Sequence, residues 1–185
     1  MLYNPSQNSS VDESMVAFTG RSTMKQYMPL KPIKRGFKVW AMTDFATGYL
    51  LSFDVYTGKK KSNKPELGLG ENVVLELNID LFGCGTFRIN KKFYPKHLMK
   101  KDSLYKPGEI EFAQSEDVSV CRWKDRGKKP VTVISNMHDA SSTEIVNRKN
   151  SKGERIPIEC PKSIADYNKF MGGVDRFDQY MARYI

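Results

Sequence analysis

At 185 residues, 39% hydrophobic and 28% charged, the chain is long enough for one domain with a real core and too short for two of ordinary size. No apolar run approaches the roughly 20 residues of a membrane helix, the longest being Val39 to Met42, which argues against a helical span. Thirty Lys and Arg against 21 Asp and Glu give a formal charge of +9, a balance that favours a polyanionic partner.

In chain order, residues 1–10 are polar and turn-rich and are expected to be a flexible lead-in. They carry no basic start followed by an apolar core, so no secretory signal is expected and the chain is expected to stay inside the cell. Val11 to Phe18 reads as a first strand broken by Gly20-Arg21-Ser22. Strand composition returns at Phe37 to Met42 and Tyr49 to Tyr56, with Ala46-Thr47-Gly48 as a hairpin-length connection, predicting three consecutive antiparallel strands. Residues 59–70 read as a loop. Val73, Val74, Leu77 and Leu81 then place one apolar stripe on a helix over 71–81. Phe82 to Arg88 reads as a strand, and 118–124 with 130–136 as a hairpin turning at Arg126-Gly127-Lys128. Pro161 to Tyr184 is helical at both ends and interrupted by Gly172-Gly173. Each glycine costs about 1 kcal/mol relative to Ala in a helix, so something other than propensity must favour the pair.

Cys84, Cys121 and Cys160 are odd in number, far apart and without a Cys-x-x-Cys pair, so a disulfide framework is not expected. With only His97 and His138 beside them, no zinc site of standard spacing can be assembled. These residues are expected to be structural.

The basic residues are segregated. Between Glu13 and Asp44 there is no acid, while Arg21, Lys25, Lys31, Lys34, Arg35 and Lys38 fall there. A second acid-free stretch holds Arg88, Lys91, Lys92, Lys96, Lys100 and Lys101, and a third cluster is Arg122, Lys124, Arg126, Lys128 and Lys129. Such blocks suit phosphate contact with counterion release, although solvated loops would carry the same pattern. Asp12-Glu13, Asp175 and Asp178 are the acids that stand out. Near a DNA-facing surface they would hold a divalent ion through hard oxygens. On spacing alone, Asp12 as a plain turn residue and Asp178 as a helix-surface charge are the readings preferred to catalysis.

Three segments resemble the transposase domain of the piggyBac family: VDESMVAFTGRSTMKQYMPLKPIKRGFKVWAMTD at 11–44 with GYLLSFDVYTGKK at 48–60, LGLGENVVLEL at 67–77 running on to YPKHL at 94–98, and ECPKSIADYNKFMGGVDRFDQYMARY at 159–184. The resemblance implies an α/β, ribonuclease-H-like fold, a mixed sheet with flanking helices, over residues 11–185, with a small β-rich insertion at about 108–150. It implies cut-and-paste transposition at TTAA sites, in which aspartates bind Mg2+ and drive DNA cleavage and strand transfer. Asp12 matches the first catalytic, metal-binding aspartate, Asp175 the third, and Asp178 a further carboxylate one turn on, on the same helix face. DNA is the implied partner, through Arg21, Lys25, Lys31, Lys34, Arg35, Lys38, Arg88, Lys91 and Lys92. A homodimer and a nuclear location are implied as well.

The chain departs from this pattern at one place. The family's second aspartate stands in an Asp-Asn-aromatic-aromatic motif on a strand, followed by a helix and a strand reading Cys-Gly-Thr-x-Arg-x-Asn. Here Leu75 to Leu81 runs directly into Phe82-Gly83-Cys84-Gly85-Thr86-Phe87-Arg88-Ile89-Asn90. The central strand, its aspartate and the next helix are absent, and Asp80 is the carboxylate nearest the junction. The resemblance also places the family's N-terminal DNA-binding region and C-terminal cysteine-rich domain outside this sequence. The expected function is a partial transposase domain without cleavage activity. The alternatives are a domesticated DNA-binding or chromatin-associated module, or an active enzyme whose transcript carries the missing exon.

Overall fold

The computed structural model describes residues 3–58, 82–91, 94–127, 129–150 and 152–184. The expected helix over 71–81, Asp80 and Lys92 lie outside the described residues. The chain divides into two compact units, one made of residues 1–80 and 170–185 and the other of 81–169. No described helix is long and apolar enough to cross a membrane.

The first unit is built on β3 (Arg35–Asp44). Along one edge it pairs with β1 (Ser9–Ala17), Asp12 opposite Ala41. Its other edge is shared by β2 (Lys25–Tyr27) and β4 (Leu50–Val55). β1 starts two residues ahead of the expected strand, and Tyr3 and Ser6 just before it hydrogen-bond the Asp44 carboxylate. Gly36 is needed because a Cβ there would stand 1.9 Å from the Val16 carbonyl oxygen.

The helix α2 (Gly173–Met181) packs across β1 and β3. Gly173 explains half of the glycine pair: an added Cβ would lie 2.6 Å from Thr43 Oγ1 and 2.7 Å from Ser10 Oγ. Its own N–H donates to Ser10 Oγ at 3.2 Å. The helix start therefore lies tight on the sheet, where only a hydrogen fits.

In the second unit a four-stranded sheet runs in the order β5 (Cys84–Thr86), β8 (Val131–Ser135), β7 (Val118–Trp123), β6 (Ile110–Ser115). The expected 118–136 hairpin is the β7–β8 pair. β9 (Thr143–Lys149) and β10 (Arg155–Pro161) form a separate two-stranded ribbon leading into α1 (Lys162–Phe170). Trp123, Val133, Cys160, Ile164 and Ala165 make the core, with Cys84 and Val146 against it. Burial pushes the Cys84 and Cys160 thiols up to about 11, so these cysteines sit as neutral, small apolar groups.

The described residues form an α/β arrangement in which every strand pair is antiparallel. The neighbours β2–β3, β3–β4, β6–β7, β7–β8 and β9–β10 are joined by turns too short for the crossover of a dozen residues or more that a parallel pair needs, while β1–β3 and β5–β8 pair antiparallel across longer separations.

Candidate functional site

Side chains alternate along a strand, so Ser10, Asp12 and Ser14 share one face of β1. Ser10 donates to the Phe170 carbonyl and receives the Gly173 N–H. Ser14 Oγ donates to Asp178 Oδ1 at 2.5 Å. Asp12 stands between these two serines, on the face that α2 covers. Asp175 precedes Asp178 by about one turn on that helix, a spacing that puts both on the same side.

The electrostatics register this gathering. Burial pushes the Asp178 carboxyl above its ordinary range, the Ser14 hydroxyl and the Lys31 ammonium work against that, and the charges of Asp175 and Asp12 add to it. Asp178 thus senses the other two acids named from the sequence. The three do not form a ligand cage: among the described residues no three His, Cys, Asp or Glu surround a common point that a metal ion would occupy. One Asp12 oxygen accepts the Glu13 N–H at 2.7 Å and one Asp178 oxygen accepts from Ser14 at 2.5 Å.

The basic residues of the first unit divide into two sets. Lys38 pairs with Glu13 at 2.9 Å, lies 4.5 Å over the Trp40 ring and is 13% exposed. Lys31 donates to the Glu13 carbonyl at 2.8 Å, and Lys25 donates to the Gly20 carbonyl at 3.3 Å. These three are tied into the fold. Arg21, Lys34 and Arg35 are exposed, with Arg35 stacked on Tyr27. In the second unit Arg88 is exposed, while Lys91 is half-buried and already partnered.

Arg122, grouped by sequence with a basic cluster, belongs instead to the core. It is 2% exposed, its Nε donates to Thr132 Oγ1 at 3.2 Å, and its terminal nitrogens reach the Lys100 carbonyl at 2.9 Å and Asp102 at 2.5 Å. Five donors in a rigid fork suit one cation to so many acceptors. Asp125 of the same cluster pairs with Arg148 at 3.2 Å.

Two anchoring residues were not evident from the sequence. Asp44, 2% exposed, accepts from Ser6, Tyr3, Thr47 and the Ala46 N–H. The Ser6 and Tyr3 hydroxyls hold its carboxyl well below the usual range. Arg176 donates to the Phe45 carbonyl at 2.7 Å and the Ala46 carbonyl at 2.6 Å, tying α2 to the β3–β4 turn. The one available signal was Asp44 two residues ahead of the Ala46-Thr47-Gly48 connection, the Asx-turn position.

In the second unit Ser135 Oγ lies 2.8 Å from His138 Nδ1, and His138 Nε2 lies 2.9 Å from Asp166. The order resembles a nucleophile, base and acid, but Ser135 is 2% exposed and also donates to the Gly83 carbonyl. No substrate reaches such a hydroxyl, so the row is a buried structural network.

A family model described as Transposase IS4 matches the chain in two stretches, residues 1–83 and 78–185. The human PiggyBac transposable element-derived protein 3 is 30% identical over 209 residues, covering 95% of this chain and 35% of that protein. The human PiggyBac transposable element-derived protein 2 is 24% identical over 212 residues, again covering 95% of this chain and 35% of that protein. A piggyBac transposase solved as a synaptic complex with hairpin DNA superimposes with a TM-score of 0.73 at 26% identity, covering 97% of this chain and 41% of the solved one. The chain spans about a third of the length of these curated relatives. It belongs to the Transposase IS4 family, and within that family to the piggyBac type.

Proposed function

We propose that this chain is a partial ribonuclease-H-like transposase domain that binds DNA in the nucleus and does not cut it. The observation that carries the reading is the junction in the sequence, where Leu75 to Leu81 runs directly into Phe82 to Asn90 with no Asp-Asn-aromatic-aromatic segment between them. Hard carboxylate oxygens are the right donors for magnesium. Two-metal phosphoryl transfer, however, needs ions held about 3.5–4 Å apart by ligands on both sides. Asp12, Asp175 and Asp178 supply one side, and no cleavage step is assigned to them.

Two features of the comparisons support a deletion at the junction of Leu81 with Phe82. The family model breaks into two matches that meet at 78–83. The alignment with the human relative runs over 209 positions, more than the 185 residues of the chain, so part of the relative has no counterpart here. DNA as the partner is supported by the solved relative, whose structure is a complex with hairpin DNA, and by the exposed charges of Arg21, Lys34, Arg35 and Arg88.

The test is a magnesium-dependent cleavage assay on a duplex ending in a family-type terminal repeat with TTAA, run beside a binding assay on the same duplex. Binding that falls steeply with salt, with no strand cleavage above an Asp12→Asn control, is the expected result. Cleavage by the unmodified chain that Asp12→Asn abolishes would overturn the proposal.

A further inference from the structure

The ribbon of β9 and β10 has two unlike faces. Its register sets Lys149 opposite Arg155, Asn147 opposite Pro157 and Ile145 opposite Glu159, and between them Arg148 opposite Ile156, Val146 opposite Ile158 and Glu144 opposite Cys160. The second set faces inward: Cys160 is fully buried, Val146 packs on the core, and Arg148 lies 5.7 Å from the Trp123 ring. The first set is exposed, Ile145 at 67%.

At the tip the exposed face is unusual. Lys149 and Arg155 are directly opposed cations, Lys152 stands in the turn between them, and none of the three pairs with a carboxylate among the described residues. Like charges directly opposite on a strand pair are destabilising. Glu154, the acid of the turn, is held by Asn150 Nδ2 at 2.7 Å. Asn150 Oδ1 accepts the N–H groups of Lys152 and Glu154, each at 2.9 Å, and Gly153 takes the left-handed conformation at φ 85°. Three cations without a carboxylate partner, against one acid held by an amide, fit a polyanion better than they fit the fold.

We propose that the outward face of this ribbon is a duplex-DNA-binding surface, with Lys149, Lys152 and Arg155 on phosphates and Asn147 and Ile145 against base edges in the major groove. The major groove, about 12 Å wide, admits a two-stranded β-ribbon, whose strands are about 4.8 Å apart. An asparagine amide pairs with adenine and an apolar side chain meets the thymine methyl, whereas the phosphate contacts position the ribbon. Glu159, opposite Ile145 at the far end of this face, accepts from Thr143 Oγ1 at 2.7 Å, so the ribbon lies along the groove face-on with its cationic end over the phosphates.

This inference rests on the DNA-binding reading above, and the experiment separates the two. The full chain is titrated with a labelled duplex, and guanine N7 is probed by methylation for occupation of the major groove. The variants are Lys149→Ala with Arg155→Ala, Lys149→Glu, and Lys34→Ala with Arg35→Ala in the first unit. The double ribbon variant is expected to bind about tenfold more weakly in moderate salt, with the salt slope reduced by about 2 and the N7 protection gone. Lys34→Ala with Arg35→Ala should weaken binding but keep the N7 protection. Lys149→Glu turns the like pair into an opposite one, so it should weaken binding while raising the melting temperature by about 1–4 °C. Wild-type affinity and protection in the ribbon variants would overturn this inference alone. Failure of the wild-type chain to bind duplex would overturn both readings. Equal affinity for polyglutamate would overturn the groove reading and assign the tip to acidic polypeptides.

Discussion

The two glycines at the start of α2 do different things. Gly172 has an ordinary φ of −84°, and a Cβ there meets nothing within 4 Å. Gly173 sits where a methyl group would collide with Thr43 Oγ1 and Ser10 Oγ, both on buried residues that cannot swing away. Gly172→Ala is therefore expected to be close to neutral, because what it gains in chain entropy it loses as a helix cap. Gly173→Ala is expected to cost about 1–3 kcal/mol by overpacking, against a propensity gain of about 1 kcal/mol. Urea unfolding of the two variants measures the difference. Asp178 on the same helix is half-buried, and that burial raises its carboxyl above the ordinary range against the hydrogen bond from Ser14.

At the scale of elements, the β3–β4 turn is held by Asp44 and Arg176 from opposite sides. Gly48 completes it with a φ of 73° and with the Arg176 side chain 3.1 Å from where a Cβ would stand. The low folded value of the Asp44 carboxyl gives a signed pH dependence. A carboxyl depressed in the folded state contributes stability that is fully present above the unfolded value of about 3.9 and is lost as pH falls through the folded value. Asp44→Asn should therefore be less stable than the native chain at neutral pH, with a shallower loss of melting temperature below pH about 4. Melting curves over a pH series check both slopes. In the second unit Arg122 plays the matching part: it joins β7 to β8 through Thr132 and to the segment of Lys100, Asp102 and Tyr105.

For the whole molecule, net charge is a poor guide to contact surface, because folding engages part of it in contacts within the chain. Lys38, Lys31 and Lys25 are bound to carbonyls or a carboxylate of their own unit, and Arg122 is sealed in the core of the other. Neutralising Arg21, Lys34 and Arg35 together is expected to reduce the salt slope of duplex binding by about 3. Lys38→Ala should leave that slope unchanged and lower stability by about 0.5–1 kcal/mol through the lost pair with Glu13 and the lost packing on Trp40. Titrations at several salt concentrations beside urea unfolding separate the two effects.

How much of this was legible in the sequence depends on how far apart the interacting residues lie. Strands β1, β3 and β4, the β7–β8 hairpin and the broken C-terminal helix follow from local pattern, since alternation, turn residues and the glycine pair act within a few positions. The match of VDES and GGVDRFD to a transposase pattern likewise needed only the letters. The positions of the charges did not follow. Whether a lysine faces solvent or Glu13, and whether Arg122 is surface or core, is set by residues tens of positions away, and composition carries no distances. The all-antiparallel pairing, the hydrogen bond from Ser14 to Asp178 and the opposed cations Lys149 and Arg155 exist only once the chain has closed on itself. Register across strands places those groups face to face, and that was decided by the tertiary structure alone.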